Sequence, residues 1–149
     1  MQLTKNFALE ELTRSSKAQA LKISNSPNAE QTSNLKALAE DILQPLRDGL
    51  GFPIKITSGL RVPALNKAVG GSSTSQHTKG EAVDINVSGK NKIIFDWIVN
   101  NLDYDQVIWE FGTDLEPNWI HVSYKKNEVN HNQKLKAIKQ NGRTRYIKL

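Results

Sequence analysis

The sequence predicts an α+β fold: helices come first, then a small, mainly antiparallel sheet with the N-terminal helices packed on it. Three observations predict this. An apolar stripe at helical spacing, Leu35, Leu38, Ile42, Leu43, Leu46 and Leu50, lies in the first part of the chain. Period-two alternation takes over later, in residues 82–87 and 119–124. Near the C-terminus Asn141-Gly142 joins the runs 134–140 and 143–148, the pattern of a two-residue hairpin turn. At 149 residues the chain is long enough for one domain with a proper core. No repeat, low-complexity stretch or linker divides it, so residues 1–149 are read as a single domain.

The elements follow in order. Residues 7–16 read as a short helix. Ser26 reads as the N-cap of a longer one, with Pro27 at its first position, where the missing N–H costs nothing. Pro45 falls inside the apolar stripe, so a kink or break is expected there, and Gly51 ends the helix. Residues 53–57 alternate and read as a strand. Pro63 opens a short helix to Val69, closed by Gly70-Gly71. Residues 70–78, rich in Gly, Ser and Thr, read as a loop. Residues 90–102 read as a helix with Ile93, Ile94, Trp97 and Ile98 inward, and 105–111 as a strand.

Strand faces select the candidate chemistry. Val83, Ile85 and Val87 share one face of residues 82–87; Ala82, Asp84 and Asn86 share the other. With the apolar set in the core, Asp84 points into an open face, where small Ala82 leaves room. Aspartate is depleted in strands, so Asp84 needs a reason to be there. In 119–124 the core set is Ile120, Val122 and Tyr124, which puts Trp119, His121 and Ser123 on the open face. His77 precedes Asp84 by seven positions, in the loop, which can fold its imidazole back over the strand. Two imidazoles and one carboxylate are three ligands of a catalytic zinc, with a fourth position left for water. Two of the chain's three histidines fall in these runs. Non-haem iron oxygenases also use two His and one carboxylate. Their first two ligands are usually one residue apart, whereas six residues separate His77 from Asp84.

The runs Ser58-Gly59-Leu60-Arg61-Val62-Pro63, Ser75-x-His77-x-x-Gly80-x-Ala82-x-Asp84-Ile85 and Trp119-Ile120-His121-Val122-Ser123 resemble the zinc D-Ala-D-Ala peptidase family. That family shares a clan with lysostaphin-type endopeptidases and the hedgehog signalling domain. The resemblance covers nearly the whole chain and is closest to the short single-domain phage and bacterial branch. It implies a hedgehog/D-Ala-D-Ala peptidase-like fold, Zn2+ bound by His77, Asp84 and His121, and peptidoglycan stem or cross-bridge peptides as substrate. It also implies that Arg61 binds a substrate carboxylate or the developing oxyanion, and that Ser75 contacts substrate. The alternative readings are an Arg61 that pins its loop and a Ser75 that is a plain turn residue.

The general base is where this sequence departs from the best-known members. They place an acid three positions before the last His ligand, where this chain has Asn118. Two acids lie nearby. Glu110, in the otherwise apolar run Val107-Ile108-Trp109-Glu110-Phe111, is expected on a strand beside His121, with a raised pKa that suits a base. Glu116, five before His121, is the alternative. Trp109 and Trp119 are candidate cleft walls, and His131 fits no motif.

Composition bounds the remaining classes. The net charge of +5 favours polyanions such as a teichoic-acid-rich wall. No recognised motif accompanies the charge, so no nucleic-acid partner is expected. No apolar run approaches the roughly 20 residues of a membrane span. There is no cysteine to form a disulfide. Residues 1–7 hold no signal-peptide core, so cytoplasmic synthesis is expected, with action on the wall after release, as in a phage lysis enzyme or a virion-associated one. A monomer is expected. The leading expectation is a peptidoglycan carboxypeptidase or endopeptidase. The alternative is a non-catalytic zinc-containing module that binds wall or partner.

Overall fold

The computed structural model describes residues 1–149. The chain opens with two short helices, α1 (Leu9–Thr13) and α2 (Ser16–Leu21), where residues 7–16 had predicted one. Arg14 is extended (φ −64°, ψ 133°), and the Ser15 hydroxyl starts the second helix by accepting the Ala18 N–H. The long helix comprises α3 (Ala29–Leu38), a π-helical turn (Ala39–Leu43) and α4 (Gln44–Leu50). Its N-cap is Asn28, not Ser26. Asn28 accepts the Gln31 N–H at 2.8 Å and Gln31 Oε1 accepts the Asn28 N–H at 2.9 Å. Ser26 has Ala29 three positions on and lacks that reciprocal partner. Pro45 does not break the helix, but the turn before it is π-helical rather than α-helical. Its ring would crowd the carbonyl four residues back, and the wider π turn takes up the misfit, with the Gln44 N–H reaching Ala39 O.

The sheet contains β1 (Ile56–Ser58), β2 (Ala82–Ile85), β3 (Gln106–Glu110), β4 (Trp119–Ser123), β5 (Gln133–Gln140) and β6 (Arg143–Lys148). Its order is β1-β2-β4-β3-β5-β6. The sheet is mixed: β3 and β5 run parallel, and the other pairings are antiparallel. Two further helices, α5 (Pro63–Ala68) and α6 (Asn91–Asn101), and a 3₁₀ turn (Gln76–Lys79) complete the fold. The expected hairpin forms at Asn141 (φ 54°) and Gly142 (φ 75°), both left-handed as a type I′ turn requires.

The core lies between the helices and one face of the sheet. Leu35, Leu38, Ile42, Leu43 and Leu46 of the long helix are fully buried there, with Ile94 and Ile98 of α6. Val83, Ile85, Val107, Trp109, Ile120 and Val122 meet them from the sheet. Ile93, expected inward, is 47% exposed, while Phe95 is buried in its stead. Trp109, considered for the cleft, faces the helices and packs edge-on against Phe95 at 5.3 Å. The opposite face is open. Cross-strand register lays two rows of side chains along it: Asp84–His121–Ile108–Leu135, and Trp119–Glu110–Ala137–Tyr146.

Candidate metal centre

His77 reaches the open face from the 3₁₀ turn inside the Gly/Ser/Thr-rich segment. Three contacts fix that turn. The Ser75 hydroxyl accepts the His77 N–H at 3.3 Å, and Gln31 and Asn34 of α3 donate to the Thr78 and Lys79 carbonyls at 3.0 and 2.9 Å. Gly80 then turns the chain into β2 with φ 75°. A Cβ there would sit 2.8 Å from Gln31 O, so both conformation and space demand glycine. Gly59 is constrained by space alone: a Cβ would lie 2.1 Å from Leu12 O. That close approach brings the Gly59 carbonyl to His77 Nδ1 at 2.8 Å.

These contacts set the imidazole chemistry. His77 Nδ1–H donates to Gly59 O, which leaves Nε2 as the nitrogen facing Asp84 Oδ1, 3.3 Å away. His121 is turned the other way. Its Nε2 meets Gln76 Oε1 at 3.4 Å, and its Nδ1 faces Asp84 Oδ1 at 3.3 Å. Gln76 is itself oriented, since its Nε2 donates to Asp105 Oδ2 at 2.8 Å. Asp105 also takes the His131 ring, Nδ1 to Oδ1, at 2.6 Å. Sequence reasoning missed this Gln76–Asp105–His131 support. Residues 105 and 131 meet only through the fold, so no local pattern marks them.

The three donor atoms of His77, Asp84 and His121 lie within 4.8 Å of one another. His77 and His121 are 2% and 8% exposed. Asp84 Oδ1 is buried and has no hydrogen-bond partner. Burial opposes its charge, but the His121 and His77 rings hold its carboxyl well below the usual carboxylate range. Two ring nitrogens and a carboxylate oxygen converge on one point, an arrangement that suits a cation. The donor set is that of zinc.

The centre opens into a cleft of about 930 Å³ lined by Arg61, Ser75, Glu110, Trp119 and Tyr146 among others. Arg61 Nη2 donates to Ser75 Oγ at 3.2 Å, and its buried Nε has no partner. Burial lowers its guanidinium pKa, and the Asp84 charge opposes that shift. Ser75 thus caps the 3₁₀ turn and holds Arg61. Glu110 is 7% exposed and lies diagonally across the β3–β4 ladder from His121. Burial pushes its carboxyl up to about 7; His121 pulls it down and Asp84 pushes it further up. Glu116 is elsewhere: its carboxylate accepts the Lys92 N–H at 3.2 Å, at the start of α6. The Asn118 N–H bonds Glu110 O at 2.9 Å, so position 118 and Glu110 are ladder neighbours.

Among curated proteins none matches the chain. A family profile described as Peptidase M15 matches residues 5–123, which include the Arg61 turn, the 3₁₀ turn and all three donors. That span covers most of the chain and ends at the last residue of β4, and on it the chain belongs to the peptidase M15 family of zinc D-Ala-D-Ala peptidases.

Proposed function

We propose that this protein is a zinc peptidase that hydrolyses peptidoglycan stem or cross-link peptides, as a D,D-carboxypeptidase or an endopeptidase. The observation that carries the reading is the convergence of His77 Nε2, His121 Nδ1 and the orphaned Asp84 Oδ1 beside a buried, protonatable Glu110. His77, Asp84 and His121 would hold the metal. Zinc bound there would supply Lewis acidity, lowering the pKa of water and polarising a peptide carbonyl.

The chain's own residues do the rest. Glu110 takes a proton from the attacking water and returns it to the leaving amine, work suited to a carboxyl with a pKa near 7. It pairs with Trp119 across the β3–β4 ladder and lines the cleft, so it offers an acid there although position 118 holds Asn. Arg61, held by Ser75, has an unpaired Nε and presents a permanent charge to a carbonyl oxygen or a terminal carboxylate. Trp119, tilted against Phe111 at 5.5 Å, forms an apolar wall. The test is metal analysis together with digestion of purified peptidoglycan, with and without a chelator, reading products by mass. Zinc-dependent release of peptide fragments is expected. One bound zinc with no cleavage would move the protein to the wall-binding reading.

A further inference from the structure

The hairpin β5–β6 lies beyond the segment matched by the family, yet it forms the far wall of the cleft. Residues 133–148 carry six basic residues, Lys134, Lys136, Lys139, Arg143, Arg145 and Lys148, and no acid. On the open face the floor that runs from the metal centre onto this hairpin is apolar, built from Ile108 of β3 and Leu135 and Ala137 of β5. Beyond the floor stand Lys139 and Tyr146.

Their placement is specific. Ala137 is the small residue between Glu110 and Tyr146 in one cross-strand row, and Tyr146 at the end of that row is 54% exposed. Partial burial raises the Tyr146 phenol, and the charges of Glu110 and then Asp84 act in the same direction. Lys139 Nζ donates to Thr144 Oγ1 at 3.1 Å and stands 5.5 Å from the centroid of the Phe111 ring. No acid lies within ion-pair distance of it. Phe111 has φ 56°, a left-handed conformation that a bulky residue adopts at a cost. That conformation directly follows Glu110 and aims the ring between Trp119 and Lys139.

We propose that Lys139 and Tyr146 form a subsite for a free carboxylate on the substrate peptide, reached across the apolar floor from the metal centre. The cleft then has a cation at each end, Arg61 by β1 and Lys139 on β5. Three inter-strand spacings separate β4 from β6, about 14 Å, or some four extended residues. An acidic peptide laid across the strands places its carboxylate by Lys139, with the Tyr146 hydroxyl as second donor, while its aliphatic part covers Ile108 and Leu135.

This rests on the peptidase reading, and two readouts separate them. The probe is one peptidoglycan stem peptide in two forms, with carboxylates free and with them amidated. Binding is measured by calorimetry on zinc-loaded protein carrying Glu110→Gln, and cleavage on the zinc-loaded protein with Glu110 intact. The free-acid form is expected to bind more tightly. Adding Lys139→Met or Tyr146→Phe is expected to weaken that form about tenfold, the scale of one charge-assisted hydrogen bond. The amidated form should stay within twofold, and Lys139→Arg should restore the preference. Equal loss on both forms, no loss on either, or no discrimination before substitution overturns the subsite. Cleavage that persists in that case leaves the peptidase reading standing. Lys139-dependent binding of the acid form without cleavage keeps the subsite and removes the peptidase reading; failure to bind either form removes both.

Discussion

Glu110 is held in a state that costs stability and serves chemistry. A glutamate of ordinary pKa 4.5 is raised to about 7 in the fold, so folding favours its protonated form. The penalty is absent below the unfolded value, grows as pH rises from 4.5, and is complete above 7. His121, Asp84 and Tyr146 are the charged or titratable groups that face it. In zinc-free protein, Glu110→Gln is therefore expected to raise the melting temperature at pH 8 and to leave it unchanged at pH 4, as scanning calorimetry at both values will show. The same variant, zinc-loaded, should lose about 10²–10⁴ in turnover, the range for a general base. Where Glu110 is intact, the rate of the zinc-loaded protein should rise with pH as the carboxyl deprotonates, with a midpoint below 7 because the metal's charge favours the carboxylate. Near-normal turnover in Glu110→Gln would remove Glu110 from the chemistry. Arg61 makes a second prediction. If its charge meets substrate oxygens, Arg61→Lys should fold with an unchanged melting temperature yet lose activity, because an ammonium cannot reproduce the two-pronged contact. Should Arg61 only support Ser75, Arg61→Lys would be mild in activity and Arg61→Ala would lower the melting temperature.

At the scale of elements, the 3₁₀ turn at Gln76–Lys79 carries more of the site than its length suggests. It presents His77, supplies Gln76 to His121, and is bolted to α3 through Gln31 and Asn34. Gly80 lets it join β2. Gly80→Ala must place a Cβ against Gln31 O with φ still positive, at a cost of at least about 1–2 kcal/mol. The expected result is a lower melting temperature together with weaker zinc binding in a competitive chelator titration. A fall in stability with zinc affinity unchanged would show that His77 is positioned independently of the turn. The long helix is the complementary case. Its π turn accommodates Pro45 and keeps Ile42, Leu43 and Leu46 in one buried face, so the platform beneath the turn is continuous.

For the whole molecule, the metal should act as a stabilising ligand. Three buried donors gather in the folded chain, and two of them, Asp84 and His121, sit on separate strands paired through β2–β4. The unfolded chain offers no such site. Zinc at 100 times its Kd should add about 2.7 kcal/mol, a rise in melting temperature of some degrees at this size. His77→Ala and His121→Ala should fold, lose that zinc-dependent rise and retain no metal after dialysis. A full zinc equivalent in either folded variant would sink the ligand assignment. No helix is long and apolar enough to cross a membrane.

Residue patterns by themselves settled what local rules govern. Alternation in residues 82–87 and 119–124 put Asp84 and His121 on the open face, because a strand has a period of two whatever it packs against. The Asn141-Gly142 turn and the buried stripe of the long helix were legible for similar local reasons. Tertiary structure decided what depends on contacts between distant residues. The N-cap at Asn28 is the exception, a local signal set by its reciprocal bond with Gln31 that Pro27 overshadowed. Trp109 went into the core because Phe95 of α6 packs on that face of β3. The parallel pairing of β5 with β3 brought a hairpin from beyond the family match to the cleft, and no period in residues 133–148 announces which strand they join. Which nitrogen of each histidine faces Asp84 was decided by Gly59 O and Gln76 Oε1, partners 18 and 45 positions away. Strand periodicity is a property of the chain, whereas tautomer, register and burial belong to whatever the fold places alongside.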